Sequence, residues 1–252
     1  MRRIAIGLIF PLAVIVLWEL LGQTGVASED GFSRPSLVIA ALARGLADGT
    51  LLTQTGETFL SAVIGLLIAT TLAVAIGSVL GLFRTLERVT VLTVEALRPV
   101  PSVALIPVAL LIFGFGQNMS VSVVAFACFW PVLILTIASV RGIDPRLIEV
   151  GRMMGFSLSM RIRKFALPAA LPGIMVGFRI AAGIAIVVAV TVEIAANPQG
   201  LGYGMIIAQQ SLHADLMWAT LVWLGVVGWF ANWGLLALER HWLRWFWTQR
   251  EA

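Results

Sequence analysis

The stretch that decides the fold is DPRLIEVGRMMGFSLSMRIRKFALPAALP, residues 144–172. It lies between two long apolar segments, Pro99–Val140 before it and Pro172–Val192 after it, the second broken only by Arg179. Asp144 followed by Pro145 is an N-cap with proline at the first helical position. A short helix is expected from Pro145 to Met154, with Leu147, Ile148, Met153 and Met154 on one side. Gly155 stands where a C-terminal glycine turns the chain. Ser157 or Ser159 starts a second helix, which must end before Pro168. About 30 residues is long for a helix–helix connection. Two helices joined at a glycine make an L-shaped surface, apolar with basic flanks, of the kind a membrane protein keeps for something to dock on.

Outward from this loop the chain reads as an all-α integral membrane protein. Its 252 residues are 60% hydrophobic and 12% charged, against about 45–50% and about 25% in a soluble domain. Disorder is excluded by the same arithmetic. A crossing helix needs about 20 apolar residues, which gives about six transmembrane spans in a single domain over 1–252, near 4–22, 58–83, 91–114, 120–140, 172–193 and 216–238. The first also resembles a signal peptide, with Gly25, Val26 and Ala27 as a small-residue cleavage site. Glu19, inside the stretch that should stay apolar, favours an uncleaved span.

Charge then orients the chain. With the N-terminus inside, thirteen of the 17 basic residues fall on cytoplasmic segments and only Arg34 and Arg44 outside, as the positive-inside rule requires. Both termini are then cytoplasmic, and the net charge of +4 reflects topology without nucleic acid. The long outer loop carries a surface helix over about 36–47 with Ser36 as N-cap. The tryptophans crowding the C-terminal region suit an interfacial belt.

Several chemistries are absent. The only lysine, Lys164, is flanked by Arg163 and Phe165, so no phosphate-binding Gly-Lys-Ser/Thr loop exists. His213 and His241 do not form a zinc helix, and no Gly-x-Ser-x-Gly elbow appears. No enzyme site, resident cofactor or metal is therefore expected. Charges at membrane depth are costly unless paired or wet, which marks Glu95, Arg98, Arg179 and Glu193 as candidates for a path or gate. Glu95 and Arg98 are three apart and positioned to neutralise each other. Arg179 can snorkel inward, and Glu193 sits at the outer end as a gate, a contact for an external protein or a plain interfacial carboxylate. Pro99, Pro101 and Pro107 break the third span, as at a cavity or hinge. Gly77-x-x-x-Gly81 and Gly173-x-x-x-Gly177 offer small faces for packing within one chain or between two.

Glu149-Val-Gly151-x-x-x-Gly155 with Leu167-Pro168 resembles the "EAA" loop of ABC importer permeases, with Val150 and Gly151 departing from the usual Glu-Ala-Ala. Arg98-Pro99-Val-Pro101, Leu105-Ile-Pro107, Phe113-Gly-Phe-Gly116 and Glu193 to Tyr203 are similar to the nitrate/sulfonate/taurine/bicarbonate-type subgroup. The resemblance implies a type I importer permease fold that pairs with a second copy. The pair would dock on two cytoplasmic ATPases, which bind the ATP, and receive a small anion from an external binding protein at a bacterial inner membrane. Residues 144–171 would be the coupling loop. In it Leu147, Met153, Met154 and Phe156 would enter an ATPase groove, and Glu149 would accept hydrogen bonds that fix the loop. Arg152, Arg161 and Arg163 would rim it, and Leu167-Pro168 would form an elbow into the fifth span. The competing expectation is a self-contained secondary transporter or channel; no internal repeat of the kind common in such proteins is evident.

Overall fold

A computed structural model describes residues 2–24, 31 and 33–242, all of whose regular structure is helical. In chain order the helices are α1 (Arg2–Gln23), α2 (Pro35–Ala47), α3 (Thr50–Leu82) and α4 (Arg84–Leu97). A 3-10 turn (Ser102–Leu105) leads to α5 (Ile106–Phe113) and α6 (Gln117–Arg141). Then come α7 (Pro145–Met153), α8 (Leu158–Arg161), a π turn (Ile162–Ala166), α9 (Leu167–Ala195), α10 (Gly200–Gln210) and α11 (Ala214–Trp242).

The core is a three-helix sandwich with α6 in the middle. Met119, Val123, Val124, Cys128 and Leu133 of α6 are buried between the alanine stripes Ala62, Ala69, Ala73 of α3 and Ala181, Ala185, Ala189 of α9. Small residues set the spacing. A Cβ on Gly77 would lie 2.8 Å from Thr136 Cβ and one on Gly81 2.7 Å from Val140 Cβ, while Gly177 abuts Val132 and Leu135 and Gly173 abuts Ser139. Both small-residue motifs therefore serve packing within the chain, closing the alternative that the sequence left open.

Four helices among the described residues are long and apolar enough to cross a bilayer: α3, α6, α9 and Ala214–Ala237 of α11. A fifth crossing results if α4 and Ser102–Phe113 count as one broken span. The expected first span, 4–22, lies within α1, a helix of 22 residues from Arg2 to Gln23.

Three local expectations change. The third span, expected at 91–114, begins as a helix at Arg84 and bends by 84° between Leu97 and Ser102. Pro99 and Pro101 cannot donate to a helical ladder, and Pro101 is extended at φ −62°, ψ 119°. The second helix of the loop does not end before Pro168. It runs through the π turn into α9, with the Leu167 N–H donating to the Ile162 carbonyl five residues back. That wider register absorbs the bond Pro168 cannot make. Lastly, Arg34 and not Ser36 is the N-cap of α2, with Pro35 in the first turn. The Ser36 N–H and hydroxyl instead donate to Glu19, at 3.0 and 2.9 Å, tying α2 to α1.

Candidate functional site

The loop between α6 and α9 is built by local capping. Asp144 Oδ1 accepts from the Arg146 N–H at 2.9 Å and opens α7. Gly155, at φ +70°, closes it, and the Phe156 N–H donates to the Gly151 carbonyl at 3.0 Å, the six-to-one bond of a glycine-ended helix. Ser157, not Ser159, opens the next helix: its Oγ accepts from the Met160 N–H at 3.4 Å and its carbonyl from the Arg161 N–H at 2.9 Å.

The two arms then clasp each other. Gly151 is buried, and a Cβ there would sit 3.1 Å from Arg161 Cγ and 3.3 Å from the Phe165 ring. Phe156 and Phe165 lie 5.9 Å apart, with Lys164 Nζ 5.4 Å above the Phe156 ring, a cation–π contact. Outside the clasp the surface is apolar: Met153 is 89% exposed, Met154 61%, Val150 46% and Met160 40%. Phe156 is only partly exposed, because it turns into the clasp. The backbones of Leu147 and Arg152 lie in α7, while their side chains fall outside the described residues. Glu149 is exposed, and no described residue donates a hydrogen bond to its carboxylate. Leu167 and Pro168 lie where the π turn passes into α9, inside one helical run.

The residues proposed for a path are not gathered at one point. Arg98, Pro101 and Pro107 lie exposed around the bend between α4 and α5. Glu95 and Arg98 do not pair; Glu87 of α4 instead reaches across to an ion pair with Arg141 of α6. A cavity of about 290 Å³ between α4 and α6 carries Glu87, Glu95, Arg98 and Arg141 on its walls. Arg179 meets Glu239 at 3.6 Å, level with the end of the apolar stretch of α11.

Glu193 is neither an interfacial carboxylate nor a surface contact, being 2% exposed. Its Oε2 accepts from Thr58 Oγ1 and from the Gly202 N–H, both at 2.9 Å. Glu57 accepts from the Gly200 N–H at 2.8 Å and Thr58 from the Leu201 N–H at 3.0 Å. Three successive N–H groups at the start of α10 are thus satisfied from α3 and α9, since Gln199 supplies no side-chain cap. Two carboxylates at a helix N-terminus also complement its dipole. Glu57 and Thr58 were missed in the sequence; the only hint was an acidic residue at the mouth of a long apolar run. Nearby, Asn197 Nδ2 donates to Ser120 Oγ at 2.8 Å inside the core. On the same end of the bundle, a cavity of about 370 Å³ between α2, α3, α10 and α11 holds the Arg44–Asp215 pair at 3.0 Å. At its rim the Thr50 N–H holds the Asp48 carboxyl below its usual range.

The helices and the capped, partly apolar loop between two core spans define a multi-pass α-helical membrane protein. The chain belongs to the family described as "Binding-protein-dependent transport system inner membrane component", whose profile matches residues 73–244. It is 31% identical over 239 residues to the putative aliphatic sulfonates transport permease protein SsuC of Bacillus subtilis, covering 95% of this chain and 87% of that protein. The taurine transport system permease protein TauC of Escherichia coli is 27% identical, covering 83% and 76%. The bicarbonate transport system permease protein CmpB of Synechococcus elongatus is 29% identical, covering 88% and 84%. Among solved structures, a chain of the MetNI methionine ABC transporter in an inward-facing conformation shares the fold, with TM-score 0.66 and 20% identity over 76% of this chain and 95% of that one. The chain is accordingly a multi-pass membrane permease, similar to permeases named for sulfonates, taurine and bicarbonate.

Proposed function

We infer that this chain is the transmembrane subunit of an ATP-driven importer of a small anion such as a sulfonate, taurine or nitrate. The observation that carries the reading is the pre-formed, clasped loop 144–171 with Met153 and Met154 bare on its surface. In this reading two copies pair, both termini lie in the cytoplasm of a bacterial cell, and α7 and α8 seat in a groove of a separate ATPase that binds the ATP. Glu149, exposed and with no hydrogen bond from a described residue, is then available to the ATPase. An external binding protein delivers the anion to the end bearing α2 and α10. The names of the relatives support the substrate class.

The mechanism follows from stiffness. Because α8, the π turn and α9 form one helical run, a push on α7 and α8 moves α9 as a lever. At its other end Glu193 grips α3 and α10, so displacement at the loop reaches the outer face. The bend at Pro99 and Pro101 between α4 and α5 supplies a hinge lining the path between the two copies.

Uptake of a sulfonate or taurine into proteoliposomes tests this. Uptake is expected only with ATP, the ATPase and the binding protein together; uptake by this chain alone would instead establish a secondary transporter or channel. Gly155→Asp is expected to insert normally and lose its ATPase on co-purification. Recovery at wild-type yield would remove the loop from the coupling role.

A further inference from the structure

We propose that the crevice between α3, α9 and α11 holds one phosphatidylethanolamine molecule, an acyl chain filling the crevice and the headgroup on Arg179 and Glu239. The crevice has a volume of about 240 Å³ and walls that are apolar apart from Asn232 and Arg179, with Phe59 and Leu66 on α3, Phe178 and Ala182 on α9, and Ala231 and Leu235 on α11. Its small residues differ from those that face α6. A Cβ on Gly65 would lie 2.6 Å from Val124, but at Gly183 of α9 and Gly228 of α11, both on the crevice wall, it would meet nothing within 4 Å. The chain leaves a gap here where interiors are normally close-packed. A gap with such walls stays dry, and between spanning helices the medium that can enter is hydrocarbon.

Charge selects the headgroup. At one end of the crevice Arg179 is 46% exposed, and its Nη1 stands 3.6 Å from Glu239 Oε2, beyond hydrogen-bond distance. Glu239 Oε2 is buried and accepts no hydrogen bond. An exposed guanidinium fits a phosphate, and a carboxylate that accepts no hydrogen bond from its charged neighbour fits an ammonium. The pair is neutral, so it complements a zwitterionic headgroup better than a net anionic one. Glu239 follows directly on the apolar run Leu216–Leu238, which places both residues at headgroup level. On the orientation proposed above this is the inner leaflet, the one part of the inference that rests on that reading.

The test uses the full chain in vesicles of phosphatidylethanolamine and phosphatidylglycerol, with a phosphatidylethanolamine probe carrying a photoreactive group in one acyl chain. Labelling mapped by mass spectrometry is expected to concentrate on the crevice residues of α9 and α11, above Leu111 and Ile112, which are 87% and 67% exposed and serve as ordinary lipid-facing references. Gly228→Leu, which has room for its side chain, is expected to abolish crevice labelling. Should that variant fail to accumulate, Ala182→Met replaces it. Arg179→Gln is expected to lower crevice labelling about fivefold, the weight of one cation near a phosphate, and a phosphatidylglycerol probe to label the crevice less. Labelling no higher than at Leu111, or unchanged by the filled crevice, overturns the proposal. So does a disulfide between two copies through Ala182→Cys and Ala231→Cys, which would put a second copy in the gap. The readout is independent of transport, so it stands or falls apart from the importer reading.

Discussion

Gly155 shows how much one backbone angle decides. At φ +70° with open space around it, it is constrained by conformation and not by volume. Gly155→Ala is expected to cost about 1–2 kcal/mol of turn stability and to weaken ATPase binding, with Gly155→Asn closer to wild type; pull-down titration of the ATPase separates the three. Glu193 is constrained by its partners. Glu193→Ala leaves the Gly202 N–H buried without its acceptor, at about 1–3 kcal/mol, while the Thr58 hydroxyl keeps only the Gln54 carbonyl at 3.1 Å. Glu193→Gln keeps one acceptor and is expected to lose about half as much, read as thermal unfolding in detergent micelles. The capping of α7 was legible because Asp144, Pro145 and Gly155 act on their immediate neighbours. The Glu193–Thr58 bond, between residues 135 apart in sequence, was not, since nothing local marks which hydroxyl will face a buried carboxylate.

At the scale of the element, the π turn matters most. Pro168 shifts the hydrogen-bond register by one residue, and that residue fixes the azimuth of α7 and α8 relative to α9. Pro168→Ala allows the ordinary register to return, turning the loop by about 100° against the span. The expected result is an importer that still binds its ATPase but in which ATP hydrolysis no longer depends on the binding protein, measured as ATPase stimulation in nanodiscs. A proline reads in sequence as a helix end; only the five-residue bond from Leu167 shows that it is passed instead. The bend at Pro99 and Pro101 was legible because two prolines so close leave no α-helical alternative. The switch of Arg141 to Glu87, in place of an Arg98–Glu95 pair, depended on the distance between α4 and α6, which no periodicity encodes.

For the whole molecule, apolar stretches and arginine placement were enough to give a helical membrane protein with a preferred orientation. The packing order was not legible, because α3 and α9 carry similar alanine and glycine patterns and either pattern suits a central helix. α6 takes that place by being buried on two sides. The orientation is open to direct measurement. An impermeant maleimide applied to intact cells is expected to label Asp48→Cys and to leave Arg163→Cys untouched until the membrane is opened; the reverse pattern would invert the topology. The native Cys128 is fully buried and stays silent, so no cysteine-free background is required.

The placement of Lys164 over Phe156 has a practical corollary. Apart from the α-amino group, it is the only amine in the chain. Acylating dyes will therefore mark this side chain and the α-amino group alone, and fluorophores placed on Lys164 will sense whether the motor is seated. A permease that reports its own engagement with a single chemical step, in native sequence, makes occupancy during turnover a quantity that can be followed in real time.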